Sequence, residues 1–145
     1  MQAEIAARAE HRRQRREPRE GVYKGFISAA SALVDHLYPV AMFDMSPHDD
    51  FSPAFAERAT ELAAEVRKKW LEVVLAGPKS LAEVATKVDG ASQSAAKASD
   101  WLARYRADSD DTRRGFGISA GIVRDGLKEF IAGAQAALDD DGTNR

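Results

Sequence analysis

The sequence predicts an all-α protein, an antiparallel helical bundle of about four helices with a long N-terminal helical arm. Apolar residues recur at steps of three and four in four separate segments, which is the spacing of one helix face. No stretch alternates apolar and polar residues convincingly, and runs of β-branched residues are rare, so strands are not expected. Short connections between the later segments favour antiparallel neighbours.

The composition is that of a single globular domain. The chain has 145 residues, of which 44% are hydrophobic and 30% charged, and its net charge is −2. It contains no cysteine, which excludes disulfides and thiolate chemistry. The first residues are too charged for a signal peptide, and no apolar run approaches the roughly 18 residues of a membrane span. We therefore expect a cytoplasmic location and no membrane insertion.

The start of the bundle is predicted at Pro18. Proline fits the first position of a helix, whereas inside a longer helix it would cost roughly 3 kcal/mol. We therefore expect residues 1–17 to form a basic helical arm, residues 18–138 a helical bundle domain, and residues 139–145 an acidic and polar tail. The buried stripe of the first bundle helix is expected at Val22, Phe26, Ala29, Leu33 and Leu37.

Residues 38–53 are expected to form a long crossover between the first and second helices. The three prolines Pro39, Pro47 and Pro53 forbid a long helix there. A connection of this length is more often functional than a short one. The alternative, which we favour, is that its apolar residues pack over the end of the bundle.

The second helix has the clearest end signals. Ser52 is a capping residue, Pro53 suits the first helical position, and Gly77 followed by Pro78 ends the helix. Its buried stripe is expected at Phe55, Ala59, Leu62, Val66, Trp70 and Val73.

Two heptad stripes, typical of coiled-coil packing, define the third and fourth helices. Asp89 and Gly90 form a turn signal, but we expect one helix from near Pro78 to Tyr105. The fourth helix is expected from Thr112 or Ser119 to Leu138. Its glycines cost about 1 kcal/mol each, which close packing against the alanine-rich third helix would offset. The stripes are Leu81, Val84, Val88, Ala91, Ala95, Ala98, Leu102 and Tyr105, then Phe116, Ala120, Val123, Leu127, Phe130, Ala134 and Ala137.

Histidine and aspartate pairs are the first candidates for chemistry. His48 precedes Asp49 and Asp50, and His36 follows Asp35, so either pair could begin a metal site or activate water. Such a site needs further helix-borne ligands, which the pattern does not supply. We expect loop surface residues instead, and no metal or cofactor.

A glycine-rich segment and three aromatic residues are the remaining candidates. No strand precedes residues 113–121, RRGFGISAG, and no Gly-Lys-Ser/Thr follows them, so a phosphate loop is not favoured. Trp70, Trp101 and Tyr105 could line an aromatic pocket. Trp70 lies on a core stripe and Tyr105 on a heptad seam, so we expect core packing. We therefore expect no enzymatic activity, with a His–Asp metal enzyme as a third hypothesis.

An arginine-rich segment, AEHRRQRREPRE at residues 9–20, could contact phosphate or a protein partner. Four glutamates in residues 1–20 reduce its net charge to +2, and Gln14 is the one side chain suited to reading bases. Interleaved charges favour a solvated or partner-facing helix over nucleic-acid binding, and an anionic membrane surface is favoured least. The candidate contact residues are Arg8, Arg12, Arg13, Arg15, Arg16 and Arg19.

Two stretches, EPREGVYKGFISAASAL and RKKWLEVVLAGPKSLAEVA, resemble a pattern in small helical proteins of actinobacteria. Those proteins are largely uncharacterised, and some carry a preceding membrane anchor, which we expect this chain to lack. The resemblance implies a helical bundle and an actinobacterial source but no activity. Its residues here are Arg19, Tyr23 and Phe26, then Val73, Leu75, Gly77 and Pro78.

The sequence thus predicts a non-enzymatic helical protein–protein interaction module that is oligomeric, with a homodimer as the expected state. It would present a helix face and its basic arm to a protein partner or to a second copy. The alternative is a small nucleic-acid-binding accessory protein that uses the arginine-rich arm.

Overall fold

The computed structural model describes residues 2–42, 51–105 and 110–142. Side chains are not described at residues 2, 4, 8, 9, 11–17, 42, 141 and 142. The described residues form four α-helices and no strand, which confirms the predicted all-α class. They are α1 (Gln2–Met42), α2 (Pro53–Ala76), α3 (Lys79–Tyr105) and α4 (Asp110–Gly142).

The helices form an antiparallel bundle in which each packs against two neighbours. Helices α1 and α3 both pack against α2 and α4, and they hardly meet each other across the diagonal. Contacts along α1 and α2 show their opposite directions: Tyr23 meets Gly77 near the end of α2, whereas His36 meets Phe55 near its start. In the described ranges, no helix has the length and apolar character that crossing a membrane requires.

The prediction that a helix begins at Pro18 is wrong, because α1 continues from Gln2 to Met42 with Pro18 and Pro39 inside it. Each proline removes one backbone hydrogen bond, but its φ is compatible with a helix that continues beyond it. The described buried residues of α1 begin at Tyr23, after Pro18, and end at Leu37, just before Pro39; their packing against α2 and α4 stabilises the helix. The connection between α1 and α2 therefore begins after Met42 and not at residue 38, as was predicted. Residues 43–50 lie outside the described part of the chain.

The predicted ends of α2 are confirmed. The Ser52 hydroxyl accepts a hydrogen bond from the backbone N–H of Phe55 at 3.0 Å, and Pro53 is the first helical residue. At the other end the N–H of Gly77 donates to the carbonyl of Val73, and its φ of 66° is one that glycine adopts without strain. The Tyr23 hydroxyl donates to the Gly77 carbonyl at 2.6 Å, so the turn after α2 is bonded to α1.

Aromatic rings occupy the core at two levels. Phe130 of α4 lies 4.6 Å from Phe26 and 5.9 Å from Tyr23, measured between ring centroids. Near the other end, Phe51 lies 4.9 Å from Phe116 in an edge-to-face arrangement. Phe51, and Val40 at the end of α1, pack against the core, so the packing expected of the apolar crossover residues is confirmed for these two described residues.

Helices α3 and α4 approach each other closely at two glycines of α4. A Cβ atom at Gly126 would lie 2.6 Å from the Cγ2 of Val88, and one at Gly133 would lie 2.7 Å from the Cδ2 of Leu81. The predicted close packing is therefore confirmed at these two glycines, although against Val88 and Leu81 rather than alanine. A Cβ at Gly115, Gly117 or Gly121 would meet nothing within 4 Å, so packing does not explain those three. Helix α3 continues through Gly90 as predicted, and α4 extends beyond Leu138 to Gly142.

A polar cluster links α2 to α3. Asp89, only 4% exposed, accepts hydrogen bonds from the Nε and Nη2 atoms of Arg67, the latter at 2.8 Å. Gln93 donates to the same carboxylate and to the Ala63 carbonyl. Hydrogen bonding to Asp89 and its negative charge raise the pKa of Arg67, so this guanidinium stays charged. All buried side-chain nitrogen and oxygen atoms of the described residues have a hydrogen-bond partner.

We expect Gly126→Ala to destabilise the fold. The added methyl would overlap Val88, which cannot turn away because it is fully buried and β-branched. Overpacking lowers the free energy of unfolding by about 1–3 kcal/mol, whereas the better helix propensity of alanine raises it by about 1 kcal/mol. Gly21→Ala, at an exposed helical position with no neighbour within 4 Å, should instead stabilise by about 0.5–1 kcal/mol. Urea unfolding at one fixed protein concentration measures both. Equal stabilisation by the two alanines would contradict the close approach.

The Arg67–Asp89 contact should contribute more to stability than an exposed charge nearby. Arg67→Met leaves the buried Asp89 carboxylate without its cation, so we expect a lower urea midpoint than for Lys68→Met, which removes an exposed cation. Adding Asp89→Asn to Arg67→Met should recover part of the loss, because a neutral amide needs no cation. Equal midpoints for the two single variants would disprove this role.

Candidate interaction surface

The histidines do not assemble a metal site in the described part of the chain, where no group of three or more His, Cys, Asp or Glu side chains could hold a metal ion. His36 is not a loop surface residue as expected: it lies half-buried in α1, where its ring stacks on Phe55 with centroids 4.2 Å apart. Its Nε2 atom lies 3.0 Å from the Phe55 carbonyl, which assigns it a role in packing α1 on α2. His48, Asp49 and Asp50 lie outside the described residues.

The glycine-rich segment 113–121 lies wholly within α4. Its backbone N–H groups beyond the first turn are used in the helix, so the segment cannot form the loop that cradles a phosphate. Arg113 lies over the ring of Phe51, with its guanidinium carbon 5.5 Å from the ring centroid. The segment therefore belongs to the packing and surface of α4.

The three aromatic residues do not form one pocket. Trp70 is half-buried on α2, and its indole N–H donates to the Thr86 hydroxyl of α3 at 2.9 Å. Trp101 lies fifteen residues beyond Thr86 along α3, about 22 Å away at the helical rise. Trp101 and Tyr105 are 39% and 62% exposed, so the prediction that they pack in the core is wrong.

The six candidate arginines all lie in α1. Arg19 is half-buried and takes part in contacts of its own. The role of the arm stays a prediction. The side chains outside the described set are those of Arg8, Arg12, Arg13, Arg15 and Arg16.

The outer face of α3 and α4 is the most distinctive surface of the described residues, and we call it the α3–α4 face. The two close contacts, Val88 with Gly126 and Leu81 with Gly133, fix which levels of the two helices lie side by side. On the outer side of the same level, Lys87 pairs with Glu129 at 3.8 Å. This register places the end of α3 beside the beginning of α4.

One end of the α3–α4 face is apolar and exposed. The rings of Trp101 and Tyr105 lie 5.1 Å apart on α3. By the register of the two helices, Ile118 and Ile122 of α4 lie about one and two turns from the level of Trp101, and they are 57% and 38% exposed. Half-buried Ala98 lies between the two sets. Two aromatic and two isoleucine side chains in water are unusual, because soluble monomers seldom expose contiguous apolar patches.

The other end of the face is concave. A groove of about 490 Å³ lies where the glycine at position 133 lets α4 approach α3. Its floor and walls are formed by Ser80, Leu81, Glu83, Val84, Lys87, Glu129 and Gly133. An apolar projection and a partly apolar groove thus share one face, about five to six helical turns apart.

Two other surface features are weaker candidates. Leu71, Val74 and Leu75 are exposed towards the end of α2, where they form one short stripe on a single helix. A groove of about 380 Å³ between α1 and α2 is partly occupied by Lys69, whose Cδ atom would lie 3.5 Å from a Cβ atom at Gly25. The α3–α4 face combines exposed apolar side chains with a groove, and its groove is the larger of these two.

Sequence reasoning missed this surface for an identifiable reason. On α3, the series containing Val84, Ala98 and Tyr105 and the series containing Val88 and Leu102 have the same heptad spacing. The second series is buried, whereas the first lies at the edge of the core and becomes exposed towards Tyr105. The isoleucines at 118 and 122, one turn apart and off the buried stripe of α4, were the available signal.

Comparison with protein-family models, with curated proteins and with solved structures gives no match for this chain.

Proposed function

We propose that the protein is a non-enzymatic helical interaction module that binds another protein through its α3–α4 face. The observation that carries the proposal is the exposed apolar cluster of Trp101, Tyr105, Ile118 and Ile122. Tryptophan and tyrosine are enriched among residues that dominate binding energy, because each buries a large area with few rotatable bonds. Covering these side chains removes apolar surface from water, and this stabilises a complex.

The middle of the face suits the approach of another helix. Ser94 and Ala98 lie on the same outer row of α3 as Trp101, at steps of four and three, and both side chains are small. Small residues let a second helix come close, while larger side chains on either side interdigitate with it. A helical partner is therefore favoured over an extended peptide, which would need a sheet edge to pair with.

The polar clusters support the non-enzymatic part of the proposal. Arg67 and Asp89 are engaged with each other and with Gln93, and Tyr23 is bonded to the α2–α3 turn. In the described ranges these groups are used in contacts between helices. They thus support a structural rather than a catalytic use of the titratable side chains.

Site-specific photo-cross-linking tests the proposal. With benzoylphenylalanine in place of Ile118, we expect cross-linked protein adducts in the producing cells. The matched control replaces Leu71, which has similar exposure, 52% against 57%, but lies on α2. Adducts from position 71 and none from position 118 would contradict the choice of face, and no adducts from either would contradict the function.

Nucleic-acid binding through the arm is the alternative, and the length of α1 supports it. Helix α1 has 41 residues and α2 has 24. Tyr23 already lies beside the turn that ends α2, so residues 2–18 continue beyond that turn for about 25 Å. These residues of α1 therefore extend past the turn that joins α2 to α3.

We expect no more than weak, salt-sensitive binding of duplex DNA, because four glutamates offset the six arginines of residues 1–20. The test compares the full chain with a variant carrying Gln at 8, 12, 13, 15 and 16, titrated at two salt concentrations. A control removes five exposed positive charges elsewhere, at Lys24, Arg58, Lys68, Lys79 and Lys97. Tight binding that the arm variant alone abolishes would make nucleic-acid binding the leading function.

A further inference from the structure

We propose that the partner of the α3–α4 face is a second copy of this chain, packed with its α3 and α4 antiparallel to those of the first. The inference rests on the proposed function and names its partner. It follows from three properties of the face: the positions of its projection and its groove, the placement of its charges, and its size.

The projection and the groove lie at opposite ends of one face. Residues 81–84 border the groove, and residues 101–105 carry the exposed rings, so about 20 residues or 30 Å of α3 separate them. A two-fold axis that lies in the interface and crosses the helices at right angles exchanges the two ends. It places Trp101 and Tyr105 of each copy over the groove of the other. The contact then occurs twice and closes, as in most homodimers.

The charges of α4 fit the same axis. Arg114 and Ile118 are one turn apart, and Ile118, Ile122 and Glu129 continue the same outer row. Arg114 and Glu129 are fifteen residues apart, about 22 Å within one chain, and their midpoint lies between residues 121 and 122. An axis at that level brings Arg114 of one copy to Glu129 of the other, with Ile122 of both copies near the centre.

Helix α3 gives the same centre independently. The α3–α4 register places residues 93–94 of α3 beside residues 121–122 of α4. Lys87 and Trp101 are equally far from that level, so the axis brings the ammonium of Lys87 near the indole of Trp101 of the second copy. A cation over the face of an indole is a favourable pairing. Exposed Ser94, a small residue, lies at the crossing point itself.

The size of the face matches the requirement of a dimer. From Leu81 to Tyr105 it is about 36 Å long, and two adjacent helices are about 20 Å wide, which gives about 700 Å² per copy. Stable protein interfaces bury about 800 Å² on each side. A small ligand or a short peptide would leave much of this area, including one of its two ends, uncovered.

A charge exchange tests the geometry. Sedimentation velocity of the full chain, between about 1 µM and about 100 µM, should show a dimer. Arg114→Glu alone and Glu129→Arg alone should each raise the dimer dissociation constant at least tenfold, because the symmetry duplicates each repulsive contact. The double variant, Arg114→Glu with Glu129→Arg, should restore the dissociation constant to within about threefold of the parent value. Both side chains are exposed, so circular dichroism should show unchanged folding.

The controls separate this inference from the proposed function. Leu75→Glu changes an exposed apolar residue of α2 and should leave the dimer intact, whereas Ile118→Glu should dissociate it. A monomer at all concentrations, or a double variant that stays as weak as the single variants, overturns the inference. If the parent is monomeric and benzoylphenylalanine at 118 cross-links a different protein, the proposed function stands and only the second copy as partner is rejected.

Discussion

The close approach of α3 and α4 at Gly126 and Gly133 is the constraint on which the rest of this surface depends. A side chain at either glycine would overlap Val88 or Leu81, so the absence of a Cβ sets both the separation and the register of the two helices. That register forms the groove beside Gly133 and brings the end of α3 next to the start of α4. The exposed aromatic rings and isoleucines consequently lie on one face rather than on two unrelated helices.

Polar contacts link α2 to α3 and α1 to the turn after α2. Arg67 with Asp89 fixes α2 against α3, and Tyr23 with Gly77 fixes α1 against the turn after α2. Buried Ser92 and Ser99 donate to backbone carbonyls four residues earlier in α3, so they enter the core without needing a partner from another helix. The buried polar side chains of the described residues thus have partners, and the register of α3 and α4 is set by steric fit at the two glycines together with the exposed Lys87–Glu129 pair.

Much of the fold could be predicted from the sequence because its signals are local. Three-and-four spacing identified the four helices, and Ser52, Pro53 and Gly77 marked the ends of α2. The course of α1 could not be predicted, since proline disfavours a helix locally while the packing of Phe26, Leu33 and Leu37 is a tertiary effect. The surface was missed for a related reason: equal heptad spacing on two rows of α3 does not tell which row faces the core.

The arrangement of two copies can be measured directly because the chain has no cysteine, so a single introduced cysteine carries the only spin label. Lys97 and Lys79 are exposed positions on α3, the first near the proposed axis and the second near the start of the helix. The antiparallel dimer predicts a label separation of about 20 Å between the two copies at Lys97→Cys and about 40 Å or more at Lys79→Cys. A short distance at position 79, or no dipolar coupling at position 97, would contradict the antiparallel dimer.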